Sequence, residues 1–305
     1  TKTCPIYVMC VVLLLYVAVV ACFFPSAWTW LSNNSSNLDD DDAEDDGTLF
    51  NAQRLRFALI STFWLEVIFW TAQSLLLLIT RNPELFTAWT IKKKHVSYPS
   101  KELLTTALNE TLQGHLLRPI FLWLFYPLWA YRGCFDREFP SFFELSFHIF
   151  VCMLVDDTLF YWSHRVLHEN KYLYRTIHKQ HHEFRYSVGL ATEYAHPLED
   201  IFSNTIPTVA GALLLGSHVS IAVGYMGIKL WQSVDGHSGM ALPFPLSPWN
   251  NQYIGMDCAL AHDYHHSHNS GNYGGYFIWW DWLCGTDKAY RRYQKKMLKK
   301  AAAAT

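Results

Sequence analysis

Three tight clusters of histidine constrain this chain more than any other feature of its sequence. The clusters contain eight of the 15 histidines, and they read His164-x-x-x-His168, His178-x-x-His181-His182 and His262-x-x-His265-His266. Neutral imidazole is the commonest metal ligand among side chains. A fold that uses these clusters for one metal site must bring three separate parts of the chain to one place.

The spacing within the clusters predicts helices and more than one metal. Residues three or four positions apart lie on one face of a helix, so His164 and His168 can point at one ion. The adjacent pair His181-His182 lets a single turn reach in two directions, and the third cluster repeats that arrangement. A zinc ion takes three or four ligands. Eight imidazoles therefore predict two metals.

Other polar residues near the clusters extend the predicted site. His237 lies in a polar stretch beside apolar runs, where ionisable groups are usually functional, and we interpret it as a ninth ligand. A metal-bound histidine usually donates its second N–H to a carboxylate or carbonyl. The residues predicted to support the ligands in this way are Asp157, Glu193, His196, Asp235 and Asp263.

The remaining histidines have no ligand spacing. We expect His95, His115, His148 and His218 to be packing residues, because single histidines have many roles. His268 follows the last cluster by two positions and is expected to line the entrance to the site. Asp156 is interpreted as an acid at a helix end that faces solvent. No catalytic residue is expected beyond the metal ligands.

Composition places this site at a membrane. Hydrophobic residues make up 51% of the chain and charged residues only 16%, against about a quarter in soluble proteins. Runs at residues 6–24 and 57–79 have the length of membrane spans. The run 119–131 is too short to span comfortably and is interpreted as kinked or re-entrant, whereas 142–162 is long enough to return to the cytosolic side, and the two pair into a second hairpin. The runs 201–215 and 218–230 pair into a third, shorter hairpin.

Charges orient these predicted spans. The first run is interpreted as a retained anchor, with a signal peptide as the alternative. Residues 32–46 are polar and then acidic and, with glycosylation sequons at Asn33 and Asn34, fit a lumenal loop. The positive-inside rule places Lys92, Lys93 and Lys94 and the basic C-terminal segment in the cytosol. All three histidine clusters then face the cytosol.

The fold class that follows is all-α: a multi-pass transmembrane helical protein with a helical cap on the cytosolic face that holds a His-rich di-metal site. Residues 1–140 form N-terminal hairpins and the acidic loop, residues 141–295 the catalytic region, and residues 296–305 a tail. The net charge of −2 gives no basic field for nucleic acid. The seven scattered cysteines match neither a disulfide framework nor a zinc finger.

Between about Asp156 and Tyr293 the chain resembles the fatty acid hydroxylase / sterol desaturase superfamily. The segments that carry the resemblance are DDTLFYWSHRVLH, YLYRTIHKQHHEF, ATEYAHPLE, VDGHSG, HDYHHSHNSGNYG and WWDWLCGTDKAYRRYQKK. The segments EYAHPLE, HSG and GTDKAYRRYQKK are most similar to the sterol C4-methyl oxidase branch. HKQHH, LAT-x-Y and HHSH are also similar to cholesterol 25-hydroxylase.

The resemblance implies a membrane-bound non-haem di-iron monooxygenase of the endoplasmic reticulum. It implies a sterol substrate, with the C4 methyl group as the favoured position, and dioxygen as the oxidant. Electrons would come from NAD(P)H through a reductase and cytochrome b5, and the absence of a GxGxxG or haem motif is consistent with a separate donor. Zinc is compatible with the ligands but has no redox chemistry.

Three other interpretations stay open at this point. A sterol desaturase would lose a second hydrogen from the same scaffold, and only product analysis separates it from a hydroxylase. A fatty-acyl or sphingolipid hydroxylase would differ in the lipid consumed. A membrane metal-binding or sterol-sensing protein would keep the fold without turnover, although the complete set of eight clustered histidines argues against lost activity.

Overall fold

The computed structural model describes residues 52–91, 96–243, 247–251 and 254–302 of the chain. In this part every regular element is helical, and the only β pairing is an isolated bridge between Thr90 and Met240. The predicted first span at 6–24, the acidic loop, Lys92, Lys93, Lys94 and His95 lie outside the described residues. The prediction of a helical fold is confirmed for the residues that the structure describes.

Three long helices form the first half of the described chain. Helix α1 is Ala52–Arg81, α2 is Lys101–Tyr131 and α3 is Phe142–Glu169. Ser100 and Ser141 precede α2 and α3, and each hydroxyl accepts a hydrogen bond from the backbone three residues on. Such capping satisfies N–H groups that the first turn of a helix leaves free.

Five further helices of six or more residues follow in the described chain, besides shorter helical turns such as Pro83–Phe86, Lys171–Leu173 and Pro197–Glu199. They are α4 (Ile206–Leu215), α5 (Val219–Gly236), α6 (Cys258–His268), α7 (Trp279–Cys284) and α8 (Lys288–Ala302). A left-handed Gly216 ends α4 and lets the chain turn directly into α5. Two π-helical segments, Tyr174–His178 and Asp200–Thr205, lie beside α3 and α4. Such π segments are frequent at functional sites.

Helix packing brings the two halves together. Helix α1 packs against α2 and α5, while α3 packs against α4. Gly211 is needed at the α3–α4 contact, since a Cβ there would lie 2.7 Å from Cα of Cys152. The principal core contains Phe57, Trp64, Trp129 and Tyr225. The histidine-bearing ends of α3, α5 and α6 meet at one side of this core.

Two sequence expectations differ from the structure. The apolar run 119–131, predicted to be too short to span, is the second half of the 31-residue helix α2. Pro119 and Pro127 lie inside that helix. The predicted tail at 296–305 is helical as far as Ala302, because α8 continues through it.

One helix of the described chain, α1, is long and apolar enough by length and composition to cross a membrane. It contains the predicted span 57–79. The other helices do not meet that test, so the multi-pass arrangement and its orientation stay predictions.

Candidate metal centre

The structure brings all nine predicted ligand histidines together in two groups. Within each group the nitrogen atoms available for a metal lie within 4.8 Å of one another. The first group consists of His164, His168, His178, His182 and His265, and the second of His181, His237, His262 and His266. Every one of these side chains is buried except His168, which is partly buried.

Adjacent histidines diverge into different groups. His182 belongs to the first group while its neighbour His181 belongs to the second. In α6, His265 joins the first group, and His266 joins the second together with His262 one turn away. Two short segments therefore supply ligands to both groups, which fixes the groups side by side.

The ring nitrogens that face each other are the Nε2 atoms. In the first group, His168 and His178 are 2.7 Å apart at Nε2, His178 and His182 3.0 Å, and His182 and His265 3.1 Å. In the second group, Nε2 of His237 lies 3.3 Å from that of His181 and 2.9 Å from that of His262. His262 and His266 are 3.1 Å apart at the same atoms.

The opposite ring nitrogens are held by oxygen acceptors. Nδ1 of six of the nine histidines lies within hydrogen-bond distance of a carbonyl or carboxylate oxygen. These pairs are His164–Tyr273 O, His178–Glu199 Oε1, His181–Tyr194 O, His237–Ser233 O, His265–Gly271 O and His266–Phe184 O. Since oxygen acceptors need a donor, each Nδ1 carries the proton, and each Nε2 presents a lone pair to its group.

This geometry fits two metal ions. Nitrogen ligands at about 2.0–2.1 Å from one ion are about 2.9 Å apart at a right angle and about 3.4 Å apart at a tetrahedral angle. The Nε2 separations given above fall in or near this range. Without a cation, converging lone pairs at such distances would repel one another. An all-imidazole set suits zinc, copper, iron or nickel.

Electrostatics keep these imidazoles in the form that binds metal. Burial, reinforced by neighbouring histidines, lowers the pKa of His178, His182, His262 and His266 well below 6.5. Burial likewise lowers the pKa of His181 to about 4. These five imidazoles are therefore neutral at pH 7, and a metal has no proton to displace from their Nε2 atoms.

Glu199 supports the site directly, and sequence reasoning missed it. Its Oε1 accepts from Nδ1 of His178 across 2.7 Å, whereas Oε2 has no hydrogen-bond partner among the described residues. Burial raises the pKa of this carboxyl well above its ordinary value. The signal was its position three residues after His196, in the AHPLE segment between two clusters.

Asp157 supports the site through a loop. Its Oδ1 accepts from the backbone N–H groups of Gly275, Tyr276 and Phe277, at 3.1, 2.6 and 3.2 Å. Asp281 accepts from the N–H groups of Tyr273 and Gly274 in the same loop. The carbonyl of Tyr273 receives the hydrogen bond of His164. Asp157 thus supports His164 indirectly, by holding the loop whose Tyr273 carbonyl contacts that ring.

Glu193 lies in a closed ring of four charged side chains. It bonds His115 Nε2 and Arg118 at 2.7 and 2.8 Å, and Glu66 bonds His115 Nδ1 and Arg118, each at 2.6 Å. Both ring nitrogens of His115 and two guanidinium nitrogens of Arg118 therefore lie within hydrogen-bond distance of carboxylate oxygens. The ring joins α1 and α2 to the segment before Tyr194, whose carbonyl accepts from His181.

The other predicted supporting residues contact different groups. Asp235 accepts from Ser247 at 2.6 Å, and Asp263 accepts from Ser187 at 2.9 Å. His196 caps the short helix Pro197–Glu199 by accepting from the N–H of Leu198. The partners given above for these three residues are two serine hydroxyls and a backbone N–H, and their support of the ligand histidines stays a prediction.

Three histidines without ligand spacing belong to neither group: His115, His148 and His218. His268, expected to line the entrance to the site, is exposed and stacks on Tyr264, and its place at an entrance stays a prediction. Asp156 differs from expectation: it is fully buried, accepts from Tyr225 at 2.9 Å and lies 3.2 Å from Nζ of Lys229. A carboxylate with a buried cationic partner has no need of solvent.

A helical protein that gathers nine imidazoles into two buried groups belongs to the class of polyhistidine metal proteins. Comparison with known proteins is more specific. A family model described as fatty acid hydroxylase matches residues 149–286. The chain is 32% identical over 242 residues to a very-long-chain aldehyde decarbonylase of Oryza sativa subsp. indica, which covers 77% of this chain and 88% of that protein. The chain belongs to the fatty acid hydroxylase family.

Two other relatives carry a sterol activity in their names. Methylsterol monooxygenase 2-2 of Arabidopsis thaliana is 40% identical over 171 residues, which is 55% of this chain and 62% of that protein. Methylsterol monooxygenase 1 of Rattus norvegicus is 41% identical over 150 residues, 48% of this chain and 49% of that protein. The matches thus span 62% of the length of the first relative and 49% of the length of the second. No solved structure matches it.

Proposed function

We propose that this protein is a membrane-bound, O2-dependent monooxygenase that oxidises an unactivated C–H bond of a sterol, with a C4 methyl group as the favoured position. The observation that carries the proposal is the pair of buried imidazole groups whose Nε2 atoms converge while their Nδ1 atoms are tied to oxygen acceptors. The similarity to methylsterol monooxygenases supports the substrate class.

The proposed cofactors are two iron ions. His164, His168, His178, His182 and His265 would hold one, and His181, His237, His262 and His266 the other. Iron at such a site would supply the redox chemistry that activates dioxygen, which zinc lacks. The protein's share is to bind, orient and exclude water.

The chain's own residues prepare the site in three ways. Hydrogen bonds from Nδ1 fix the orientation of the rings. The carboxylates of Asp157 and Asp281 hold the loop that supplies one of those acceptors. Burial of eight of the nine rings keeps bulk water away from the place where the substrate would react.

Exposed apolar side chains support a position in the membrane. Large hydrophobic residues of α2 and α3 are exposed in the folded chain, among them Leu116, Phe121, Phe125, Phe143 and Phe147. Such contiguous apolar surface marks contact with lipid or protein. We propose that α2 and α3 cross the endoplasmic reticulum membrane beside α1, with the histidines at the cytosolic boundary.

A very-long-chain aldehyde is the second candidate substrate. The match to the aldehyde decarbonylase of rice extends over more of this chain than the methylsterol monooxygenase matches do. Both candidates are apolar lipids that would reach the histidines from the bilayer. The same metal site would serve either, so the experiment must compare substrates.

The test is expression of the chain with cytochrome b5 and its reductase in cells that lack sterol C4-demethylation. Sterols and long-chain aldehydes are then profiled by mass spectrometry, beside a His265→Ala variant. The expected result is that cells with the wild-type chain lose their 4,4-dimethylsterols, whereas cells with the variant keep them. A new side-chain alcohol would assign a 25-hydroxylase, an added ring double bond a desaturase, and consumption of aldehyde alone the decarbonylase. No change in any lipid would overturn the enzymatic proposal.

A further inference from the structure

The C-terminal helix α8 is the most basic element of the described chain. Between Lys288 and Ala302 the sequence has seven cationic residues and no acidic one. The side chains of Lys295, Lys296 and Lys299 are all exposed, and none has a hydrogen bond or ion pair to a described residue. The chain as a whole has a net charge of −2, so this cationic surface is a local feature that needs an explanation of its own.

The first half of α8 is fixed to the back of the ligand helix α6. The rings of Tyr290 and Tyr293 each lie 5.2 Å from the ring of Tyr264, and Tyr290 donates to Asp257 at 2.7 Å. Tyr264 directly precedes His265, which belongs to the first imidazole group. His262 and His266 of the same helix belong to the second group. The basic surface therefore lies directly behind the one helix that serves both groups.

The packing of Tyr290 and Tyr293 bears on what binds the rest of α8. A basic amphipathic helix often lies on a membrane by inserting its apolar face. In α8 the rings of Tyr290 and Tyr293 pack against Tyr264, and from Lys295 to Lys299 every side chain is exposed, including Met297 and Leu298. The exposed stretch therefore carries three cations beside two apolar side chains. Such a surface fits an acidic macromolecule through charge complementarity.

We propose that α8 is the docking surface for an acidic electron-transfer protein that supplies electrons to the metal centre. The proposal rests on the monooxygenase function proposed above, for which the balance is R–H + O2 + 2 e− + 2 H+ giving R–OH + H2O. The two electrons come from two one-electron oxidations of the docked donor. Docking on α8 brings that donor to the helix that packs against α6, which carries ligands of both groups.

The test measures donor binding apart from turnover. The full chain is placed in nanodiscs of neutral phosphatidylcholine, and the acidic haem domain of cytochrome b5 is titrated as the probe. Reversal of three charges, Lys295→Glu with Lys296→Glu and Lys299→Glu, is expected to weaken Kd about tenfold or more at low salt. The difference should shrink at high salt, because exposed charges are screened.

The matched control reverses three other exposed cations, in Lys171→Glu, Arg175→Glu and Lys179→Glu. These residues lie on the second histidine segment, so an equal or larger loss of binding there would move the docking surface and overturn the proposal. An unchanged Kd in the α8 variant would also overturn it. Loss of anionic-lipid binding by the α8 variant in vesicles containing phosphatidylserine, with donor binding intact, would assign α8 to the membrane surface instead.

Failure of the docking proposal is distinguishable from failure of the proposed function. Dithionite reduces a metal centre without a protein donor, so product formed with dithionite should be equal in the wild type and the α8 variant. With cytochrome b5 as donor, the variant should lose rate in proportion to its weaker binding. Absence of product from the wild type with either reductant would reject the monooxygenase function, while the titration alone would still decide the docking surface.

Discussion

Glu199 accepts a hydrogen bond from Nδ1 of His178 across 2.7 Å, and both side chains are buried. Nε2 of the same imidazole lies 2.7 Å from Nε2 of His168 and 3.0 Å from Nε2 of His182. The Glu199 carboxyl group therefore fixes the orientation of a ring at the centre of the first group. This is the arrangement by which carboxylates orient metal-binding histidines in proteins.

The first prediction concerns metal affinity. Glu199→Ala should weaken metal binding about 10- to 100-fold, as loss of such supporting partners typically does, and Glu199→Gln should weaken it less because the amide oxygen still accepts. Metal retention against a chelator, measured on purified protein, checks this. Glu110→Ala is the control, because Glu110 accepts from Gln180 and not from a histidine. Equal retention in all three variants would show that Glu199 is not a supporting residue.

The second prediction separates the two groups. His265→Ala and His262→Ala each remove one member of a different group, so each variant should bind about one metal per chain where the wild type binds about two. Elemental analysis of the purified proteins measures this. His148→Ala should keep both metals, because His148 bonds Ser217 away from the groups. Complete loss from either single variant would mean that the groups form one inseparable site.

The spacing of the histidines in the sequence predicts much of this site, and the reason is physical. Helical periodicity determines which histidines share a face, so the grouping of His164 with His168 and the divergence of His181 from His182 follow from local geometry. His237, alone in its segment, was predicted from its polar context beside apolar runs. These are the parts of the site that nearby residues decide.

The partners of the supporting residues depend on long-range contacts and could not be predicted from the sequence. Asp157 was expected at a ligand because it lies seven residues before His164, but it bonds backbone N–H groups about 120 positions away. Glu193 was expected to support the ligand histidines. It instead contacts His115 and Arg118, the same two side chains that contact Glu66. Such pairings depend on how helices cross, which helical periodicity does not encode.

The third prediction tests the role of Asp157 as a loop anchor. Its carboxylate accepts three backbone hydrogen bonds in a buried place, and hydrogen bonds to a charged group contribute about 1.5–3 kcal/mol each. Asp157→Ala should therefore lower the free energy of unfolding by about 3 kcal/mol or more. Asp157→Asn keeps an oxygen acceptor and should cost less than half as much. Thermal melting in detergent measures both, and a loss of metal without a loss of stability would contradict the anchor role.

The fourth prediction concerns the ring formed by Glu66, His115, Glu193 and Arg118. Arg118→Met removes one cation and leaves two carboxylates sharing His115. Because Arg118 and both carboxylates are partly buried, it should lower the free energy of unfolding by about 1.5–3 kcal/mol, the range for hydrogen bonds to charged groups. Adding Glu193→Gln to that variant removes the excess negative charge and should recover part of the loss. Melting temperatures of the two single variants and the double variant give the coupling. Additive losses would show that the four side chains do not act as one unit.

The last prediction is the pH dependence of the metal-free protein. Burial lowers the pKa of His178, His182, His262, His265 and His266 below the value of about 6.5 that histidines have in an unfolded chain. Below pH 6.5 the unfolded chain therefore binds more protons than the folded one, so the free energy of unfolding falls as pH falls. Above about pH 7 both states carry neutral imidazoles and these residues add no slope.

The measurement is the melting temperature of chelator-treated protein between about pH 7.5 and pH 5.5. It should be nearly constant at the upper end and fall steadily below about pH 6.5. A variant with His262→Gln and His266→Gln has two fewer such groups and should show a shallower fall. Reloading the wild type with ferrous iron should move the onset of the fall to lower pH, because ligation holds Nε2 against protonation. An equally steep fall in the variant would mean that other groups, and not these histidines, set the acid limit.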